Sequence, residues 1–121
     1  MGSGRDLAHA SRMTNASEII TDEVTSWAGV TAGTGSRGEW SFKAGAREIG
    51  HLHGDRVAHL GFPKAVWQEL YDAGRIDYHS AFPGKKGWAA RSITDEDDVH
   101  DVIALLRLNY DRVVTTHGVP A

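Results

Sequence analysis

The segment Glu48-Ile49-Gly50-His51-Leu52-His53-Gly54-Asp55-Arg56-Val57-Ala58-His59 gathers three imidazoles, two carboxylates and a guanidinium into one short stretch. On a β-strand alternate residues share a face, so His51 and His53 point the same way, with Ile49 beside them. Imidazole suits zinc, copper, nickel and iron(II), and an H-x-H pair on a strand offers a divalent metal two points of attachment. Glu48 is expected on the opposite face. Asp55, in the following turn, is the better carboxylate to complete or orient a metal set of His51, His53 and Asp55. Whether His59 joins them depends on register, because either Val57 and His59 or Arg56 and Ala58 lie opposite the pair. Without a metal, the same face reads as a binding surface on which Arg56 anchors an anion and the imidazoles add pH dependence.

A second group, Tyr78-His79 with Lys85, Lys86 and Trp88, flanks a loop rich in proline and glycine. Such a loop can bind an anion or stack on a planar ligand. Trp88 itself reads as a core anchor, as do Trp40 and Trp67, because large aromatics dominate cores. The candidate ligand-binding residues are therefore His51, His53, Arg56, His59, Tyr78 and His79. The acidic run Asp95-Glu96-Asp97-Asp98 resembles a metal site, but stabilisation of a helix N-terminus explains it without a ligand.

Several chemistries are excluded by what is missing. The 121 residues include no cysteine, which removes thiol nucleophiles, disulfides and thiolate metal sites. There is no phosphate-binding loop of the G-x-x-x-x-G-K-[ST] type and no G-x-S-x-G nucleophile turn. Gly33, Gly35 and Gly38 match G-x-G-x-x-G, but a strand-like pattern follows where a dinucleotide site needs a helix. No flavin or nucleotide motif remains. The net charge of −3 argues against a nucleic-acid partner, leaving a small molecule or a protein as the expected ligand. No apolar run reaches the roughly 20 residues of a membrane span, and the absence of cysteine fits a cytoplasmic setting.

These side chains need a scaffold, and the chain length suits one domain. Residues 1–12, MGSGRDLAHASR, lack periodicity and read as a vector-derived or disordered leader, with Met13 as the natural start. Without that leader, which carries Arg5, Arg12 and Asp6, the balance is 11 basic to 15 acidic residues, net −4. A first helix is expected over 15–28 from Ile20, Val24 and Trp27, capped by Thr14, Asn15 or Ser17 and stopped at Gly29. The period then changes to two. Strands are expected at Val30–Ala32, around Trp40 and Phe42, at Arg47–His53 and at Arg56–Leu60, joined by turns at Ala44-Gly45 and Gly54-Asp55 in an antiparallel meander. Pro63 opens a second helix with Val66, Trp67, Leu70 and Ala73 on one face, ended by Gly74. Arg75–His79 is extended and Trp88–Ile93 is a last strand. Thr94 caps a third helix through a T-x-x-D box with Asp97, and Val99, Val102, Ile103, Leu106, Tyr110 and Val113 line its buried face. Residues 115–121 are expected to fray.

Strands that cluster rather than alternate with helices predict an α+β domain over 13–121, with an antiparallel sheet of five or six strands packed against three helices. Helices one and three cover one sheet face and leave the other partly open. An unpaired edge strand allows a homodimer.

The residues that carry the chemistry also carry a resemblance. Arg47-Glu-Ile-Gly-His-Leu-His-Gly-Asp, then Phe62-Pro63, Gly87-Trp88 and Leu106-Arg-Leu-Asn-Tyr110, resemble the small bacterial and fungal "luciferase domain" proteins over most of 16–113. The C-terminal half is also similar to the MmcQ/YjbR proteins, through Tyr78-His79, Lys86, Gly87-Trp88 and Tyr110. That second likeness implies a CyaY-like α+β arrangement. DNA binding, suggested for those proteins by fold analogy, conflicts with the acidic balance here. Three functions follow, in order: a binding module using the open sheet face, a small metal-dependent enzyme with His51 and His53 as ligands, and nucleic-acid contact through Lys85, Lys86 and Arg91.

Overall fold

A computed structural model describes residues 15–120. The leader 1–12, the start at Met13, the cap offered by Thr14 and the terminal Ala121 lie outside the described residues. The elements are α1 (Ala16–Val24), β1 (Val30–Thr34), β2 (Trp40–Ala44), β3 (Arg47–His53), β4 (Val57–Gly61), α2 (Lys64–Asp72), β5 (Asp77–Tyr78), β6 (Trp88–Ser92) and α3 (Glu96–His117). The strands form one six-stranded sheet in the order β1-β2-β3-β4-β6-β5, with every neighbouring pair antiparallel. This is the α+β domain of three helices and an antiparallel sheet expected from the pattern.

One sheet face is buried beneath the helices. Phe42, Leu52, Ala58, Leu60 and Ala89 project there and meet Ile20 and Val24 of α1, Trp67 and Leu70 of α2, and Val102, Leu105 and Leu106 of α3. Helix α1 is shorter than expected, because the chain leaves it at Thr25 and reaches Gly29, at φ 80°, through a turn. Trp27 still packs inward, with its ring 5.4 Å from that of Tyr110.

The cap of α3 also differs from expectation. Asp95 is the N-cap, and its carboxylate accepts from the Asp98 N–H at 2.8 Å. The Asp98 carboxylate reaches back to the N–H and hydroxyl of Thr94 at 2.8 and 2.7 Å, so Thr94 donates rather than caps. An aspartate one residue later in the chain wins because an ionised oxygen is the stronger acceptor for a helix N-terminus. At the other end, residues 115–117 remain helical.

A turn and a bulge fix how the site is aimed. The β3–β4 connection contains Gly54-Asp55-Arg56, so His53 pairs with Val57 and His51 with His59. Directly paired residues share a face. The second feature is a β-bulge in β3: Phe42 pairs with Gly50, but Lys43 pairs with Glu48, which leaves Ile49 without a partner. Ile49 and Gly50 are consecutive and both buried. Gly50 is required there, since a Cβ would sit 2.6 Å from Leu106 Cδ2 and its φ is 156°.

Candidate functional site

The face of the sheet away from the helices carries Ser41, His51, His53, His59 and Trp88. His51 and His53 follow strand alternation, and the three-residue turn returns His59 between them. Ring centroids lie 5.1 Å apart for His51–His53, 5.3 Å for His51–His59 and 4.7 Å for His53–His59. One nitrogen from each ring lies within 4.8 Å of the others. A fourth imidazole, His79, comes from the strand end after Tyr78, with its ring 3.8 Å from that of His59.

The bulge brings a carboxylate to these rings. The regular strand phase puts Glu48 opposite His51 and Ile49 beside it. With one extra residue in β3, both positions are reversed: Ile49 is buried in the core and Glu48 joins the imidazole face. Glu48 Oε2 lies 3.1 Å from His51 Nδ1, and Glu48 Oε1 accepts from the Ser41 hydroxyl at 2.6 Å. A carboxylate at Nδ1 fixes the tautomer and leaves Nε2 of His51 free. The side chain that holds the bulge is Asn109 of α3. Its amide donates to the carbonyls of Ile49 and Gly61, both at 3.0 Å, across the gap where β3 and β4 part.

Burial pushes the His59 imidazole down to about 4, and the adjacent His79, His53 and His51 add to the shift. A half-buried ring among other imidazoles resists gaining charge. His59 is therefore neutral at pH 7, and its Nδ1 is buried without a hydrogen-bond partner among the described residues. His79 is also lowered, by burial and then by His51 and His53. Its Nδ1 accepts from the Ala81 N–H at 3.0 Å, which places the proton of the neutral ring on Nε2.

A cavity of about 490 Å³ stands over the histidines. Its polar side includes Arg37, Glu39 and Glu48, and its apolar wall is Ala81, Phe82 and Trp88. The Phe82 and Trp88 rings lie 5.4 Å apart, tilted by 31°. Trp88 is 45% exposed and walls the cavity rather than anchoring the core. Strand alternation turns it outward while its backbone carbonyl accepts from Trp67 Nε1 at 2.8 Å. Gly61, its cross-strand partner, places no side chain between His59 and Trp88. Backbone N–H groups of Arg37 and of Glu39 itself hold the Glu39 carboxyl below its ordinary value, and His51 and His53 act in the same direction.

Three of the residues expected at the site lie elsewhere. Tyr78 pairs with Ala89 on the helix side, where its ring is 4.8 Å from Trp67 and 5.3 Å from Tyr71. Arg56 is exposed at the turn and does not line the cavity. Asp55 accepts from the Ser17 N–H at 2.8 Å, closing the N-terminus of α1, and the side chain brought beside His51 and His53 is instead His59. Spacing does not single out Arg37, Glu39 or Phe82. For Phe82 the signal is an aromatic residue inside the proline–glycine loop.

The family model for the Luciferase domain matches residues 46–109, more than half of the chain. The chain belongs to the Luciferase domain family. No curated protein and no solved structure matches it. The matched stretch of the Luciferase domain holds Glu48, all four clustered histidines, Phe82, Trp88 and Asn109, whereas Arg37 and Glu39 precede it. The likeness of the C-terminal half to the MmcQ/YjbR proteins remains a resemblance of residues in order.

Proposed function

We propose that this Luciferase domain is a small metal-dependent enzyme, with His51, His53 and His59 as the ligands of one divalent transition metal and the cavity above them as the substrate site. The observation that carries the reading is the convergence of three imidazole nitrogens within 4.8 Å, one of the rings having a buried and unpartnered nitrogen. Bonds of about 2.0–2.1 Å to zinc need nitrogen separations near 3.3 Å, a closure that small rotations of three side chains supply. A buried nitrogen without a partner loses its hydration for nothing unless something binds it. Neutral imidazoles are the competent ligand form, and the depressed value of His59 keeps that ring neutral well below pH 7.

Held by His51, His53 and His59, such an ion would supply Lewis acidity toward a substrate oxygen or a water at near-neutral pH. The surrounding residues would divide the remaining tasks. Glu48 orients His51. Glu39, held ionised at the cavity wall, would place a negative charge facing His51 and His53. Phe82 and Trp88 present a surface for a planar group, and Arg37 adds a cation at the rim.

The test is zinc and cobalt(II) titration of the full chain, carrying no added polyhistidine, beside a His51→Ala/His53→Ala variant. The expected result is one ion per chain at micromolar or better affinity, with cobalt absorption typical of a nitrogen-rich site, lost in a variant that keeps its circular dichroism. Absence of binding at 100 µM metal, or equal binding by the variant, refutes the reading. The face would then act as a metal-free ligand-binding module.

A further inference from the structure

Beside the histidine cavity lies a second groove of about 680 Å³, lined by strand, loop and helix residues, and the two share Glu48, Gly61 and Trp88. Its lining includes Lys64 at the start of α2, Lys86 in the loop before β6, and Arg112 on α3. All three side chains are exposed. The ion pairs among the described residues involve Arg75, Arg91, Arg107 and His51, and none reaches Lys64, Lys86 or Arg112. Three cations from three separate segments, without an ion pair among the described residues, thus line one groove of a chain whose net charge is −3. The carboxylate at the junction, Glu48, is already hydrogen-bonded to Ser41 and His51.

We propose that the substrate is a phosphate monoester of a small planar molecule, with its phosphate received by Lys64, Lys86 and Arg112 and its ring lying against Trp88 toward the histidines. Three cations in one groove, none in an ion pair with a carboxylate, match a dianion better than a single carboxylate, because each adds an attractive charge. Trp88 belongs to both cavities and supplies the surface on which the ring bridges them. The absence of a side chain at Gly61 leaves the passage clear. This assignment deepens the metal-dependent reading by naming its substrate class, yet the phosphate end makes no contact with the metal ligands and can be tested without metal.

The experiment is titration of phenyl phosphate into the full chain, kept metal-free with a chelator and followed by amide chemical shifts. Benzoate is titrated in parallel. Lys64→Gln/Lys86→Gln is the test variant and Lys43→Gln the control, all three lysines being exposed. Expected are shifts confined to residues 61–65, 86–88 and 112, at least tenfold weaker binding in the double variant, little change in Lys43→Gln, and weakening as salt is raised. No binding at 10 mM, equal loss in the control, or benzoate binding as tightly as phenyl phosphate overturns the assignment. Zinc affinity of the double variant is measured alongside. Phosphate binding without zinc binding would refute the metal reading alone, and zinc binding without phosphate binding would refute the present inference alone.

Discussion

His59 makes acid sensitivity a direct readout of the site's packing. The perturbation is His59→Gln in metal-free protein, compared with the parent from pH 8 to pH 4.5. In the folded state burial and three neighbouring rings lower the imidazole from 6.5 to about 4. The sign follows from proton uptake. Above 6.5 the ring is neutral in both states and the shift has no effect. Between 6.5 and 4 the unfolded chain takes up a proton that the folded one refuses, so stability falls as pH falls. At about 1.4 kcal/mol per unit, 2.5 units set a ceiling of about 3.4 kcal/mol. Water reaching the half-buried ring reduces the expected loss to about 2 kcal/mol. That corresponds to a Tm lower by roughly 8 °C for a domain of this size. Asp98 and Glu39 act in a different window. Burial opposes ionisation of Asp98, but Thr94 and Arg91 outweigh it, and backbone N–H groups lower Glu39. Their contributions are present above their unfolded values, 3.8 and 4.5, and are lost only as pH falls below them. Urea unfolding followed by tryptophan fluorescence at each pH gives the comparison. Between pH 6.5 and 4.5 the parent should lose stability more steeply than His59→Gln. Parallel curves in that interval would refute the reasoning, whatever the offset between them.

Two further substitutions probe the frame around the histidines. Gly50→Ala forces a Cβ to 2.6 Å from Leu106 Cδ2 and 3.2 Å from the His59 carbonyl, and should destabilise by about 2–3 kcal/mol in urea unfolding. A change below about 0.5 kcal/mol would mean that the bulge is not held as described. Glu48→Gln removes the charge that orients His51 and should weaken zinc binding roughly tenfold by calorimetry while leaving thermal stability nearly unchanged.

The elements are legible in the sequence because each has its own period and its own stop. Ile20 and Val24, the alternation around Trp40 and Phe42, and Val99 to Tyr110 all fall on the faces their spacing demands. The histidine strand is legible only in its second half. His51 and His53 share a face as alternation requires, but plain alternation inverts Ile49 and Glu48, because a bulge changes phase without changing residue types. Gly50 in mid-strand is the one warning of it. The return of His59 stays open in the sequence for a related reason. Gly54-Asp55 announces a turn, but its length depends on whether Arg56 belongs to turn or strand. Residue type alone misplaces Tyr78 and Trp88. Tyr78 is drawn to Trp67 and Tyr71, while Trp88 sits on the outward phase of β6. Arg37, Glu39 and Phe82 reach the cavity from a hairpin and a loop that no periodicity describes.

Helix α3 gives the site an unusual division of labour. One stretch of it, from Leu106 to Tyr110, sets Leu106 close to Gly50, bonds the carbonyls of Ile49 and Gly61 through Asn109, and bonds the Ala28 carbonyl through the Tyr110 hydroxyl at 2.6 Å. The spacing of the front is thus dictated from behind, by side chains that no ligand could touch. Reactivity and architecture are therefore separately adjustable. Exchanging Phe82 or Arg37 would change what the cavity accepts, whereas a change at position 106 or 109 would disturb the strand backbone next to His51 and His59. Redesign for a new substrate should begin at Phe82 and Arg37 and leave that stretch of α3 alone.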